Sequence, residues 1–319
     1  MSEPFQRLEH GITVVDTGFV RPRFDASYLI VERGRAAFVD TGPNSAVPKL
    51  LAALSAHGLQ PDAVDYVIPT HVHLDHAGGA GLLMQQLPRA KLVIHPRGAR
   101  HMIDPSALMK GVRNVYGDEV ANRDYGELVP IAPDRVITTS DGMTLDLAGR
   151  ELRFMDTPGH ARHHHCIWDE RTRGWFTGDT FGIVYPELIT ARGPYIVPAT
   201  APVQFDQQAL HESVRRLLDA KPELMYLTHY GAVRNAGTLA MQFLAQVDAM
   251  AVAARELATA PQRHEQLKRA FRDIYLGELR RSGSTAAEDW LTDILATDIE
   301  LNAQGLGVWL DRKPSSGSD

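Results

Sequence analysis

Short apolar runs separated by turns rich in Asp, Gly and Pro occupy the chain up to about residue 235, and long stretches of helical periodicity follow. Ile12 to Val15, Tyr28 to Val31 and Ala36 to Val39 read as strands, with Asp16-Thr17-Gly18 and Asp40-Thr41-Gly42 as turns. Val47 to Ala56 carries apolar residues at helical spacing (Val47, Leu50, Leu51, Leu54) and stops at Gly58. The strand Val64 to Ile68, a short helix at Leu82 to Gln86 and the strand Leu92 to Ile94 continue the alternation of a layered α/β domain. From His101 to Tyr125 the pattern predicts one or two helices over the core. Strands resume at Val136 to Thr138, Met143 to Leu147 and Glu151 to Phe154, then in a hairpin of His164 to Trp168 and Trp175 to Thr177. Phe181 to Phe205 lacks periodicity, and a loop of that length reads as a functional lid. Asp206 caps a helix through Leu218, and Leu224 to Leu227 is the next strand.

Beyond Asn235, helices are predicted over Leu239 to Leu257, His264 to Arg280 and Ala286 to Leu301, the last opened by Thr285 and Glu288 in capping-box spacing. A strand is expected at Val308 to Leu310 and a loose tail from Lys313 to Asp319. The domain organisation read from this is a βα catalytic domain over 1–235, a helical extension over 236–312 and a flexible tail over 313–319.

Composition narrows the partners. A formal charge of −6 disfavours nucleic acid, which wants a basic face. The single cysteine, Cys166, excludes an internal disulfide and fits a reducing compartment. The first residues carry no apolar signal region and no apolar run of membrane-spanning length is evident, so a cytoplasmic protein acting on a small molecule is expected, without a membrane partner. Oligomeric state is not readable.

The chemistry concentrates in His71-Val72-His73-Leu74-Asp75-His76, directly after the strand Val64 to Ile68. His71 and His73, two apart on extended backbone, can point the same way, while Asp75 and His76 lie past a bend. His160, Asp179 and His229 each follow a predicted strand in a Gly-bearing turn, where α/β proteins build their sites. Five imidazoles and two carboxylates without a thiolate suit zinc, with iron or manganese as alternatives. Seven donors exceed what one tetrahedral ion takes and match two ions sharing Asp179.

In this order, His71-x-His73-x-Asp75-His76, His160, Asp179 and His229, the sequence resembles the metallo-β-lactamase superfamily, and within it the glyoxalase II-type hydrolases, over residues 10 to 235. The resemblance implies an αββα sandwich with a C-terminal helical extension and the metals at one edge. It assigns His71, His73 and His160 to a first ion, Asp75, His76 and His229 to a second, and Asp179 to both. Asp40 resembles the carboxylate that steadies the ligand loop, and His164 the second histidine of the family's paired stretch. The expected activity is a dinuclear hydrolase that delivers hydroxide to an ester, thioester or lactone carbonyl, with Asp75 the side chain assigned a catalytic as well as a ligating part. Tyr185, Tyr195 and Tyr230 are candidate substrate clamps or proton donors, with packing or lid structure as the other reading of each. Three alternatives stay open: a single-iron dioxygenase of the persulfide-cleaving type, a phosphodiesterase or nuclease of the same superfamily, and a non-catalytic scaffold. His163 and His165 are expected to be exposed or packed, without a role in the site.

Overall fold

The computed structural model describes residues 4–200 and 203–312, so the expected tail lies outside the described residues. The chain forms two compact units that interleave along the sequence. Of the described residues, the first comprises 4–156, 163–178 and 221–234, and the second 157–162, 179–200, 203–220 and 235–312.

Two sheets build the first unit. One runs in chain order through β1 (Phe5–Arg7), β2 (Ile12–Asp16), β3 (Ala26–Glu32), β4 (Arg35–Val39), β5 (Val64–Ile68), β6 (Lys91–Ile94) and β7 (Val136–Thr138). Its first four strands pair antiparallel. From β4 to β7 the pairing is parallel, and each crossover carries helix: α1 (Val47–Ala56), then α2 (Leu74–Ala77) and α3 (Ala80–Gln86), then α4 (Pro96–Ile103) and α5 (Ser106–Asp124). The other sheet holds β8 (Thr144–Leu147), β9 (Arg150–Asp156), β10 (His165–Asp169) and β11 (Gly174–Gly178); after the β12 (Ile189–Thr190) and β13 (Gly193–Pro194) hairpin of the second unit, it is completed by β14 (Leu224–Leu227) and β15 (Gly231–Val233).

Side chains alternate across each strand, so a strand covered on both faces feeds two cores. On β3, Leu29 joins a layer with Phe38, Leu50, Leu54, Leu83 and Met102 under the helices. Its neighbours Tyr28 and Ile30 face the opposite way, into a layer shared with Phe154, Ile167, Phe176 and Tyr226 of the second sheet. Tyr28 packs edge-on against Phe176 and Tyr226, and its hydroxyl donates to the Leu227 carbonyl at 2.5 Å. At the far edge, buried Arg150 grips buried Asp169 through two hydrogen bonds, at 2.9 and 2.5 Å, and donates to the His10 carbonyl at 2.7 Å.

The second unit is helical: α6 (Gln207–Asp219), α7 (Ala236–Glu256), α8 (Arg263–Arg281), α9 (Glu288–Ile294) and α10 (Ala296–Asp311). Several expectations change here. Val308 to Leu310 is helix, the last turns of α10, because Leu306 is buried on the same face as Ile299 and Ala303, a spacing of three and four. The predicted helix Ala286 to Leu301 is two helices that meet at Leu295, and Thr285 does not cap the first, whose N-cap position is Ala287. Nor is the stretch after Phe181 a lid. Phe181, Ile183, Tyr185, Leu188, Tyr195, Ile196 and Val197 are buried, and Ile183 and Val197 exchange backbone hydrogen bonds. An irregular buried strap needs partners for its backbone, and the helices supply them. Gln246 donates to the Ile196 carbonyl, and Asn302 donates to the Pro198 carbonyl while accepting from the Thr200 amide at 2.6 Å.

Among the described residues, α7 is long and apolar enough, by length and composition alone, to cross a membrane, where no such run was expected. Its buried positions, including Leu239, Phe243, Val247, Met250 and Ala254, recur at helical spacing along one face.

Candidate metal centre

The ligand loop leaves β5 at Ile68 and is fixed before it reaches the first histidine. Asp40, at the end of β4, is fully buried in the left-handed region (φ 55°). Its carboxylate accepts from the Thr70 amide at 2.7 Å, the Thr70 hydroxyl at 3.0 Å, the Thr228 hydroxyl at 2.6 Å and His76 Nδ1 at 2.8 Å. One buried carboxylate therefore ties the start of the ligand loop, its last histidine and the turn before His229. Backbone bonds repeat the tie: Thr41 N–H reaches the His76 carbonyl and Gly79 N–H the Gly42 carbonyl, both at 2.7 Å. Gly42 (φ 66°) stands where a Cβ would lie 2.7 Å from a Thr17 methyl, so the turn admits no larger residue without movement.

Within the first unit, Asp75, His76 and His229 come together, one donor atom from each lying within 4.8 Å of the others. Asp75 Oδ2 is 3.7 Å from His76 Nε2 and 3.4 Å from His229 Nε2. The outward-facing nitrogens follow from what the other ring nitrogens touch. His229 Nδ1 donates to the Phe24 carbonyl at 2.9 Å, and a carbonyl can only accept. His76 Nδ1 meets the Asp40 carboxylate. Both rings thus carry their proton on Nδ1 and turn the Nε2 lone pair toward Asp75. Beside them, His71 Nε2 and His73 Nδ1 stand 2.8 Å apart, and the His71 ring lies 4.1 Å from that of His76. Two buried imidazole nitrogens and a partly exposed carboxylate oxygen that converge suit a cation, and the donor types match zinc, iron or manganese.

In the second unit, His160 and Asp179 lie together, Nε2 to Oδ2 at 3.4 Å, and both are buried. His160 shows the same orientation device, with Nδ1 donating to the Ala199 carbonyl at 2.9 Å. Gly159 (φ 138°) precedes it, where a Cβ would sit 2.4 Å from the backbone of Leu210 on α6.

The remaining candidates divide. His164 is fully buried, its ring stacked 4.9 Å from that of His71, and a Cβ on Gly178 would come within 2.5 Å of both His164 Nε2 and the Thr70 hydroxyl. His163 is buried rather than exposed, edge-on to His73 at 5.5 Å. His165 is a strut for the ligand loop: its amide donates to the Thr70 carbonyl, and its ring bridges Thr139 at 2.9 Å and the Pro69 carbonyl at 3.0 Å. Burial drives its pKa down to about 3, with His95 adding to the fall, so it is neutral. Tyr185 and Tyr195 are not substrate clamps. Both are buried in the second unit, where Tyr185 OH bonds Asp298 at 3.1 Å and Tyr195 OH bonds Gln246 at 2.5 Å. Tyr230 follows His229 and is half-buried with the Arg23 guanidinium over its ring; burial raises its pKa to about 12, so it keeps its proton. Cys166 is buried, its thiol on the Thr177 carbonyl at 3.5 Å, in a packing role.

One residue that sequence reasoning passed over stands at this site. Asp25, at the entry to β3, is fully buried; Thr17 donates to its Oδ2 at 2.9 Å. Burial pushes its pKa up to about 7, opposed by His229 and His76 and assisted by Asp75. A lone acidic residue before a strand gives no sign in sequence that it will be enclosed.

A family model described as the metallo-beta-lactamase superfamily matches residues 20–229. The chain belongs to the metallo-beta-lactamase superfamily. The superfamily's known members include a metallo-beta-lactamase fold-containing protein of Sulfurisphaera tokodaii, ST1585, 31% identical over 176 residues (54% of this chain, 62% of that protein). A hydroxyacylglutathione hydrolase of Klebsiella pneumoniae is 30% identical over 162 residues, 50% of this chain and 49% of that enzyme. The chain thus spans less than two thirds of the length of these relatives. The superfamily fold is also seen in the solved structure of ST1585 from Sulfolobus tokodaii (TM-score 0.65, 23% identity, 93% of this chain and 98% of that one) and in a family protein from Thermus thermophilus (TM-score 0.64, 22% identity, 85% and 93%). A structure titled as the peroxy diiron species of the chemotaxis sensor ODP shares it at TM-score 0.54 and 17% identity, over 75% of this chain and 93% of that one.

Proposed function

We propose that this superfamily member is a dinuclear-metal-dependent hydrolase of an ester, thioester or lactone carbonyl, with zinc at both positions. The observation that carries the reading is the Asp75, His76 and His229 group, whose two imidazoles are fixed in the tautomer that presents Nε2. The motif order assigns His71, His73 and His160 to the first ion and Asp179 to both. Two bound divalent ions would ionise a water near neutral pH and offset charge on a carbonyl oxygen, which dispenses with a serine or cysteine nucleophile. The chain's own part is to hold the donors. Asp40, Thr70 and Thr228 fix the ligand loop, Asp75 places a carboxylate oxygen between the Nε2 atoms of His76 and His229, and protonated Tyr230 stands next to His229 to meet a polar group of the substrate.

Glutathione is left out of the proposed substrate. Four basic side chains of the helical region are engaged with neighbours: Arg263 with Asp311, Lys268 with Glu300, Arg272 with Asp273 and Arg255 with Gln207 and Trp309. A small-molecule substrate in the cytoplasm, rather than nucleic acid, agrees with the acidic balance and the lone buried cysteine. The test is turnover of an ester, thioester, lactone and phosphodiester panel by protein loaded with two zinc equivalents. No turnover of any carbonyl substrate would overturn the reading. Nitrogen and oxygen donors suit iron equally; one iron per chain after purification without added metal, with oxygen consumption, would replace this reading with the oxygenase.

A further inference from the structure

Buried polar atoms in folded proteins are almost always hydrogen-bonded, and each exception calls for a water, an ion or a function. In the first unit Asp25 is such an exception. The residue is fully buried, Thr17 donates to Oδ2, and Oδ1 has no hydrogen-bond partner among the described residues. Its position is not loose. Phe24, before it, accepts from His229 Nδ1 at 2.9 Å, and the amide of Ala26, after it, donates to the Thr228 carbonyl at 2.8 Å. Asp25 is thus held between the two residues that dock on the His229 turn, and the charges it feels most are those of His229, His76 and Asp75. These are the three members of one donor group.

Carrying a carboxylate into such a position costs the fold several kcal/mol by itself, since one hydroxyl does not replace a hydration shell. Asn would fill the same space and could keep the Thr17 contact without the charge. We propose that Asp25 is a positioning residue for the cation held by Asp75, His76 and His229, its buried carboxylate balancing that cation's charge. The inference rests on the two-ion reading above and deepens it: the second position is favoured by a carboxylate that never ligates. By reciprocity, whatever the carboxylate adds to the cation's affinity, the cation returns by relieving the buried charge. Supporting groups of this kind are worth about 10- to 100-fold in metal affinity.

Zinc titration of the metal-free full chain against a competing chelator, for wild type, Asp25→Asn and Thr17→Val, tests it. Wild type takes two equivalents. Asp25→Asn keeps the tighter equivalent unchanged and binds the other about 10- to 100-fold more weakly, while its metal-free form melts at or above the wild-type temperature. Thr17→Val, which retains the carboxylate, holds both equivalents within about threefold of wild type, well short of the loss of about 10- to 100-fold. A single equivalent in wild type overturns the two-ion reading and the inference with it. Two equivalents in wild type with unchanged affinities in Asp25→Asn overturn the inference alone. So does a joint loss of both affinities and of metal-free melting temperature, which marks a merely structural role.

Discussion

Replacing Asp40 by Asn keeps the volume and changes one oxygen into an N–H donor, and the structure says which bonds suffer. The carboxylate receives four donors: the Thr70 amide, the hydroxyls of Thr70 and Thr228, and His76 Nδ1. The amide oxygen can retain the two from Thr70, because its site at Oδ1 accepts both at 2.7 and 3.0 Å. The new NH2 then faces His76 Nδ1, and two donors cannot bond. The ring recovers a hydrogen bond only by moving its proton to Nε2, the nitrogen that points at Asp75, and a protonated Nε2 cannot ligate. The expected loss is about 10- to 100-fold in affinity for the ion at Asp75, His76 and His229, or about 1.4–2.7 kcal/mol. Asp40→Ala imposes no tautomer, so it weakens that ion less than Asn does, yet destabilises the fold more by leaving the Thr70 amide unsatisfied, by about 1–3 kcal/mol. Chelator competition gives the affinities, and long-range proton–nitrogen correlation spectra of the metal-free protein give the His76 tautomer. A His76 ring still protonated at Nδ1 in Asp40→Asn, with both ions bound as in wild type, would refute the reasoning.

Four further outcomes are expected. Asp179→Ala should bind one zinc equivalent instead of two and lose nearly all hydrolysis, measured by metal analysis and turnover; full metal content with retained turnover contradicts a shared ligand. Gly178→Ala should destabilise by about 2–4 kcal/mol in denaturant unfolding, since its backbone has φ 46° and the added methyl meets His164 and Thr70 at 2.5 Å. Asp169→Ala strands buried Arg150 and should cost about 3–5 kcal/mol in the same assay. The pH dependence of the metal-free protein carries two opposed contributions. His165, lowered from 6.5 to about 3, gives stability present above pH 6.5 and lost on acidification, about 1.4 kcal/mol per pH unit. Asp25, raised from 3.8 to about 7, gives stability present below 3.8 and lost as pH rises through 7. Their slopes offset between about pH 4 and 6.5, so Asp25→Asn should steepen acid destabilisation there by roughly one proton, read from unfolding across a pH series; an unchanged slope refutes the assignment.

How far the sequence spoke depended on whether a signal was local. The strand Val64 to Ile68 and the His71 to His76 loop that it delivers are contiguous, so period-two patterning and ligand spacing located them together. The strands ending before His160, Asp179 and His229 were found in the same way. What failed was packing over distance. The stretch from Phe181 to Val197 has no period because it is a strap whose backbone is satisfied by Gln246 and Asn302, residues that lie 50 or more positions later. For Tyr185 and Tyr195 a substrate role and a packing role could not be separated for the same reason, since nothing near them in sequence announces Asp298 or Gln246. Val308 to Leu310 resembles a strand in isolation, and only the buried face of α10 shows it to be helix.

Asp25 and Asp40 carry that contrast to its limit. Both are single acidic residues at strand ends, both are fully buried, and sequence gives neither a partner. Asp40 could be singled out because the turn Asp40-Thr41-Gly42 resembles a known arrangement, and the structure then supplies four donors for it. Asp25 has one hydroxyl donor, and its other oxygen has no hydrogen-bond partner among the described residues. A carboxylate with four donors is settled by the protein alone and serves to orient. One with a single donor keeps an unsatisfied oxygen, and the charges that act on it most are those of His229, His76 and Asp75. The difference between the two residues is therefore a difference in satisfaction once the chain has folded: Asp40 has four donors, and Asp25 keeps an oxygen without a hydrogen-bond partner among the described residues.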